Sequence, residues 1–189
     1  GTICQIYRKF KPSGGMIFSE LFRGYYLCMA SVVISKAAIQ NMKWFNEKMT
    51  NIEDAWFFLR LAYTYKLNYV DEPLAKYRVR NDSLSFTNYG QIALEKELLL
   101  QTCRDEFSDF DKKHEKDIKI FIKRLTQQKT LGKWLDHKPT DARKILLKIR
   151  PVDILMPCLY ILTFFPPSLF FTLTKLRYRL KNFTNWYNH

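Results

Sequence analysis

Acidic side chains are scarce in this sequence of 189 residues: 18 Asp and Glu face 31 Lys and Arg, leaving a formal net charge of +13. Such a positive excess attracts polyanions, so lipid headgroups, nucleic acids and nucleotide phosphates are all candidate partners. The excess is uneven, because residues 1–110 carry a net charge of +2 and residues 111–189 carry +11. We therefore expect the surface that meets a polyanion to lie in the C-terminal part.

Paired cysteine motifs are also missing. Cys4, Cys28, Cys103 and Cys158 form no Cys-x-x-Cys, and no histidine is close enough in the sequence to complete a zinc site. This spacing favours reduced thiols in a cytosolic compartment. No signal peptide opens the sequence, and the first residue is Gly rather than Met, so we expect the natural start to lie upstream. An apolar fraction of 47% excludes a disordered chain and is enough for one domain with a buried core.

Two apolar runs in the first half predict strands. Residues 26–34 are nearly uncharged and include two adjacent valines, which is typical of a buried strand. Residues 67–70 predict another strand, which ends before Pro73 because proline removes a ladder donor. A short extended segment is expected at 75–79.

Helices are predicted between and after these strands. Residues 35–42 predict a short helix, and Asn51 is a suitable N-cap for a helix with Glu53 and Asp54 in its first turn. The apolar run 56–61 predicts that this helix is buried. Helical periodicity then recurs over 91–107, around 118–125, and over 142–149, where Thr140 is the expected cap. The opposite faces carry lysines, and a solvated helix face is the simplest interpretation of them.

Five short motifs follow one another in a set order. They are Phe18-Ser-Glu-Leu-Phe-Arg-Gly24, Ala30-Ser-Val-Val-Ile34, Glu53-Asp54 ahead of Leu59-Arg60-Leu61, Pro73-Leu-Ala-Lys-Tyr-Arg78, and Ser83-Leu-Ser85. In this order the motifs resemble the C-terminal half of the catalytic domain of glycosyltransferase family 2, the inverting nucleotide-sugar transferases. The resemblance covers roughly residues 15–88.

The resemblance implies an α/β chain, a partial GT-A (Rossmann-like) fold followed by a helical C-terminal region. Residues 1–88 would be the acceptor-side half of the catalytic domain, 89–150 a basic helical region, and 151–189 a membrane-associating tail. The nucleotide-binding half has no counterpart here, so the chain is expected to be unable to hold a donor sugar alone.

The resemblance also implies roles for the carboxylate pair. Inverting transfer needs a base that takes the proton of the acceptor hydroxyl, and a carboxylate is ionised at neutral pH. The family's pattern gives that role to Asp54 and makes Glu53 an orienting group. The alternative is that Glu53 and Asp54 only complement the helix N-terminus, which is worth about 0.3 to 1 kcal/mol each.

Other motif positions imply the binding residues. Arg80 stands where many relatives carry a histidine of the metal and diphosphate site, and an arginine fork suits phosphate oxygens. The expected diphosphate-binding residues are Arg80, Arg78 and Ser83, and the expected acceptor-binding residues are Gly24 and Tyr25. The alternatives are a surface charge for Arg80, a turn-forming hydroxyl for Ser83 and a packing role for Tyr25.

A divalent cation, Mg²⁺ or Mn²⁺, is implied for the full-length enzyme, but this chain has no ligand motif for it. Asp109-Phe-Asp111 has the spacing of the family's metal motif. It lies in the helical, charged region, and we reject it as the metal site.

The C-terminal segment predicts contact with a membrane. Residues 154–173 carry no charge, but prolines at 157, 166 and 167 divide the run into pieces too short to span about 30 Å of hydrocarbon. Leu173, Leu176, Leu180 and Phe183 share one helical face, flanked by Lys175, Arg177, Arg179 and Lys181, which is the pattern of an interfacial helix. We expect a cytoplasmic protein at the inner face of the plasma membrane; a true span and a soluble helical cap are the alternatives.

The resemblance implies a bacterial glycosyltransferase of cell-surface polysaccharide or glycolipid synthesis. Its partners would be a nucleotide-sugar donor, a lipid-linked or glycan acceptor and an anionic membrane surface. A non-catalytic membrane adaptor is one alternative. A nucleic-acid-binding module is another, since basic and aromatic residues alternate over 175–187, but it leaves the apolar run unexplained and no nucleic acid is expected.

Overall fold

The computed structural model describes residues 13–40, 42, 45–72, 74–75, 88–148 and 155–168. The helices are α1 (Phe18–Arg23), α2 (Lys36–Gln40), α3 (Glu53–Thr64), α4 (Tyr89–Glu106), α5 (Phe110–Lys113), α6 (Glu115–Leu135), α7 (Pro139–Leu147) and α8 (Leu155–Leu162), with a 3₁₀ turn at Met29–Ser31. The chain divides into two compact units, Gly1–Arg124 and Leu125–His189, and the division falls within α6.

The expected α/β fold is wrong for the described part of the chain, which is helical and contains no sheet. β pairing there is limited to an isolated antiparallel bridge, in which Gly15 N donates to Leu67 O at 2.7 Å and Leu67 N donates to Gly15 O at 2.9 Å. Residues 67–70 therefore form no strand beyond this bridge. A Rossmann-like GT-A core needs several paired parallel strands, so the described residues do not supply one.

Residues 26–34 are not the predicted buried strand. The chain turns locally at Met29–Ser31, where Ser31 N donates to Cys28 O at 2.9 Å. Leu27, Val32 and Ile34 pack on a buried cluster of Ala38, Phe57, Phe58 and Leu61, whereas Val33 is 98% exposed. The apolar run thus covers one face of α3 without pairing to a neighbouring strand.

The helical predictions are largely confirmed, while the predicted caps are wrong. Helices α2, α3, α4, α6 and α7 occupy the predicted regions, and α3 is buried over most of its surface. Ile52, not Asn51, is the N-cap of α3. Helix α7 begins at Pro139, after Lys138, and not at Thr140, because the fixed φ of proline suits the first helical position.

Aromatic rings fill the core of the first unit. The Phe18 ring contacts Phe22, Tyr63 and Phe107 with centroids 5.6, 5.1 and 5.7 Å apart, and Tyr63 stacks on Phe107 at 3.8 Å. His114 is half-buried, with its ring centroid 4.8 Å from that of Phe18. These contacts join α1 and α3 to Phe107, just after α4, and to His114, just before α6.

The second unit has a smaller core of its own. Trp134, Ala142, Leu146 and Met156 are buried, and α7 packs on α8. The Trp134 indole Nε1 donates to Phe165 O at 2.9 Å, which fixes the chain just after α8. Of the helices that the structure describes, none has both the length and the apolar character needed to cross a membrane.

Candidate functional site

A buried carboxylate on α4 fixes the start of α3, the helix that carries Glu53 and Asp54. Glu95 is only 2% exposed and accepts hydrogen bonds from Asn51 N at 2.8 Å, Asn51 Nδ2 at 2.7 Å and Ile52 N at 3.2 Å. Thr50 Oγ1 and Gln91 Nε2 also donate to it, at 3.0 and 3.2 Å. Glu95 thus caps α3 from a neighbouring helix, so the expected N-cap Asn51 acts as a donor to that carboxylate.

The pKa of Glu95 reflects these bonds. Burial alone raises the pKa of a carboxyl, but the hydrogen bonds from Asn51 and Gln91 outweigh it and lower the pKa of Glu95 to about 2. Sequence reasoning missed this residue. The available signal was a glutamate on the apolar face of α4, between Ala93 and Leu99, since such a position requires a partner.

The expected base and an expected acceptor residue are in direct contact. Tyr25 OH donates a hydrogen bond to Asp54 Oδ2 at 3.1 Å, although the two residues are 29 positions apart. Asp54 Oδ1 accepts the Ala55 N–H at 2.7 Å, so both carboxylate oxygens are held. Burial, and then the charge and hydrogen bond of Asp54, raise the pKa of Tyr25 far above its usual value of 10. Tyr25 therefore stays protonated and donates to Asp54 throughout the physiological range.

Glu53 adds a second carboxylate beside this pair. Its Oε2 is buried and has no hydrogen-bond partner among the described residues. Electrostatic interactions with Cys28 and then with Glu53 contribute further, smaller increases to the pKa of Tyr25. A buried acceptor without a donor costs about 1 to 3 kcal/mol, so a hydroxyl that bonds to Glu53 would recover that cost.

Gly24 adjoins Tyr25 and is explained by a close approach. The guanidinium of Arg124 donates from Nη1 to Arg23 O and occupies the space that a Cβ on Gly24 would need. The backbone of Gly24 is extended, with φ −169°, so a side chain at this position would meet the Arg124 guanidinium but no backbone strain. The structure thus places Gly24, Tyr25, Glu53 and Asp54 in the same unit, with Tyr25 joined to Asp54.

The expected diphosphate-binding residues Arg78, Arg80 and Ser83 lie outside the described residues. In the described ranges, no group of three or more His, Cys, Asp or Glu side chains could hold the divalent cation that the resemblance implies for the full-length enzyme.

An open depression of about 390 Å³ lies elsewhere in the first unit. Residues 104–112 line it, including the rejected Asp109-Phe-Asp111. Arg104 Nε donates to Asp111 Oδ1 and Oδ2 at 3.0 and 3.1 Å, so that carboxylate is already paired with a cation. This depression does not include Tyr25, Glu53 or Asp54, so it is separate from the candidate site.

No protein-family model matches this chain, and no match is found among curated proteins or among solved structures.

Proposed function

We propose that this chain supplies the acceptor side of an inverting sugar-transfer site, with Asp54 as the general base. The observation that carries the proposal is the Tyr25–Asp54 hydrogen bond, because it brings the expected base into contact with an expected acceptor-binding residue 29 positions away. Because the described residues are helical, the GT-A fold does not support the proposal. The proposal rests on the contact between Tyr25 and Asp54.

The proposed step is a single displacement. The acceptor hydroxyl oxygen attacks the anomeric carbon of a nucleotide sugar, its proton passes to Asp54, and the bond from that carbon to the nucleoside diphosphate breaks. Tyr25 stays neutral and orients the carboxylate, since an O–H donor to one oxygen leaves the other lone pairs directed elsewhere. Glu53, the neighbouring carboxylate, orients a second hydroxyl of the polyhydroxylated acceptor. The acceptor would be a glycan or a lipid-linked sugar, and Arg78, Arg80 and Ser83 would meet the diphosphate.

The test measures acceptor-dependent release of nucleoside diphosphate from a panel of nucleotide sugars. It uses the complete product of the gene that encodes this chain. Asp54→Asn removes the base but keeps the shape, so we expect turnover to fall by roughly 10² to 10⁴. Tyr25→Phe removes one hydrogen bond worth about 1.4 kcal/mol, so we expect a loss of about tenfold.

Asp136→Asn is the matched control, because Asp136 is an exposed aspartate in the turn after α6. It should turn over like the wild type. If Asp54→Asn turns over as fast as the wild type, the assignment of the base is wrong. If the wild type shows no turnover with any donor, the proposed activity is wrong. The second result, combined with retained membrane binding, would favour the non-catalytic adaptor.

A further inference from the structure

Helix α8 presents an exposed face without a single charge. Pro157, Cys158, Ile161, Phe164 and Phe165 recur at helical spacing along it and its C-terminal turn, and all five are exposed among the described residues. Ile161 is 59% exposed and Phe164 is 63% exposed. Contiguous apolar surface of this kind marks an interaction site in proteins far more often than scattered single side chains do.

Basic side chains on α7 border this face. Arg143, Lys144, Leu147 and Lys148 share one side of the helix, with Leu147 72% exposed among the cations. The Arg143 guanidinium lies 4.5 Å from the centroid of the Phe164 ring, so the basic side of α7 and the apolar face of α8 are continuous. We call these nine residues, which lie on the two helices and just after their C-terminal ends, the α7–α8 surface.

The chain around the α7–α8 surface is held in place. Trp134 Nε1 donates to Phe165 O, and Thr163 Oγ1 donates to Tyr160 O at 2.7 Å, so the turn that carries the two phenylalanines is bonded on both sides. Thr163 is buried while its neighbours Phe164 and Phe165 are exposed. The rings are therefore held outward by a bonded backbone.

We propose that the α7–α8 surface docks on an anionic lipid bilayer. A membrane interface offers hydrocarbon to the apolar face and negative headgroups to the basic border, which is the combination found in interfacial helices. A nucleic acid offers phosphates but no hydrocarbon for Ile161 and Phe164. The sequence that follows has the same charge sign, because residues 169–189 carry four basic and no acidic side chains. This proposal does not depend on sugar transfer.

Flotation of the full chain with lipid vesicles tests the proposal. We compare phosphatidylcholine vesicles with vesicles in which about one third of the lipid is phosphatidylglycerol, at a fixed salt concentration. The chain is expected to float with the anionic vesicles at least tenfold more efficiently than with the neutral ones. Equal recovery with both, or recovery only in the unbound fraction, would overturn the proposal.

Two double variants locate the surface. Ile161→Ser with Phe164→Ser removes apolar contact, and Lys144→Glu with Lys148→Glu reverses two charges, so each is expected to lower binding by at least about tenfold. Their controls are Val33→Ser with Leu94→Ser, two exposed apolar residues of the first unit, and Lys112→Glu with Lys116→Glu, two exposed lysines there. The controls should bind nearly as the wild type does. If the control variants lose as much vesicle binding as the α7–α8 surface variants do, the proposal is wrong.

A fluorescent label on Cys158 gives a second measurement that does not rely on a loss of function. Cys158 is exposed in the middle of the apolar face, and Cys4→Ser with Cys28→Ser restricts labelling to it because Cys103 is buried. Anionic vesicles should shift the label's emission to shorter wavelength, and spin-labelled lipids should quench it. An unchanged spectrum on bound vesicles would assign binding to another part of the chain. Preferential binding of a single-stranded oligonucleotide, lost in the lysine variant, would assign the surface to nucleic acid.

Discussion

Three carboxylate side chains near the start of α3 differ in how many hydrogen-bond donors they have. Glu95 has five hydrogen-bond donors around its carboxylate, Asp54 has two, and Glu53 Oε2 has none among the described residues. A fully satisfied buried carboxylate stabilises the fold, whereas an unsatisfied one costs free energy unless a ligand supplies the donor. This contrast separates a structural residue, Glu95, from the candidate functional ones.

Glu95→Gln tests the structural role through pH. The folded pKa of about 2 lies below the ordinary value of 4.5, so the charged form stabilises the folded state above pH 4.5. That contribution, on the order of 3 kcal/mol, is lost as pH falls towards 2. The free energy of unfolding of the wild type should therefore fall more steeply between pH 5 and 2 than that of Glu95→Gln. Urea unfolding at several pH values measures the difference.

At neutral pH, Glu95→Gln should lower the free energy of unfolding by about 2 kcal/mol, since hydrogen bonds to a charged group are replaced by weaker neutral ones. Glu47→Gln is the control, because Glu47 is exposed in a turn and should change little. Parallel pH profiles for the wild type and Glu95→Gln would show that Glu95 does not have the lowered pKa.

Helices were predictable from the sequence and strands were not, for a physical reason. The 3.6-residue spacing over 91–107 and 118–125 reports one buried face, and α4 and α6 have it. A short apolar run such as 26–34 reports burial without reporting a pairing partner. In the structure its side chains pack on α3 while its backbone bonds locally, so the run satisfies the hydrophobic pattern without a sheet.

The site was predictable in part, because the carboxylate pair lies in one short motif while its supports come from distant elements. The sequence identified Asp54 and Tyr25 separately, and only the fold brings Tyr25 OH to Asp54. Glu95 lies 41 positions after Asp54 on another helix, and nothing in the local sequence links it to α3. Long-range hydrogen bonds of this kind have no signature in the spacing of a single sequence.

The Arg124 side chain of α6 contacts the chain at the end of α1, and this contact predicts how substitution of Gly24 changes stability. Gly24→Ala places a methyl group where the Arg124 guanidinium lies, so that guanidinium must move and its bond to Arg23 O is lost. We expect a loss of about 1 kcal/mol in the free energy of unfolding. In an Arg124→Ala background the space is open, and Gly24→Ala should cost nothing or stabilise slightly by restricting the unfolded chain. Chemical unfolding of the wild type, Gly24→Ala, Arg124→Ala and the double variant measures this difference as a double-mutant cycle.

Gly90→Ala provides the matched control cycle, because no atom lies within 4 Å of the Cβ it would add. Its effect should be the same with Arg124 and with Ala at position 124. Equal effects of Gly24→Ala in both backgrounds would mean that Arg124 does not occupy that space.

On the scale of the whole molecule, each unit has its own buried core and its own candidate chemistry. The acceptor-side residues lie in Gly1–Arg124, and the α7–α8 surface lies in Leu125–His189. Large buried side chains fill each core, Trp56 and Phe58 in the first and Trp134 in the second. A chain with two cores need not unfold in a single cooperative step.

Hydrogen exchange on the intact chain tests whether the two units are energetically separable. Phe58→Ala opens a cavity in the first core and should cost about 3 to 5 kcal/mol there, which speeds exchange in α3 and α4 by at least a hundredfold. The amides of α7 and α8 should keep their wild-type rates. Leu146→Ala in the second core should give the reverse pattern, at about 2 to 5 kcal/mol. If either substitution speeds exchange equally in all of these helices, the chain unfolds as one unit, and substitutions on the α7–α8 surface then need to be corrected for their effect on the first unit.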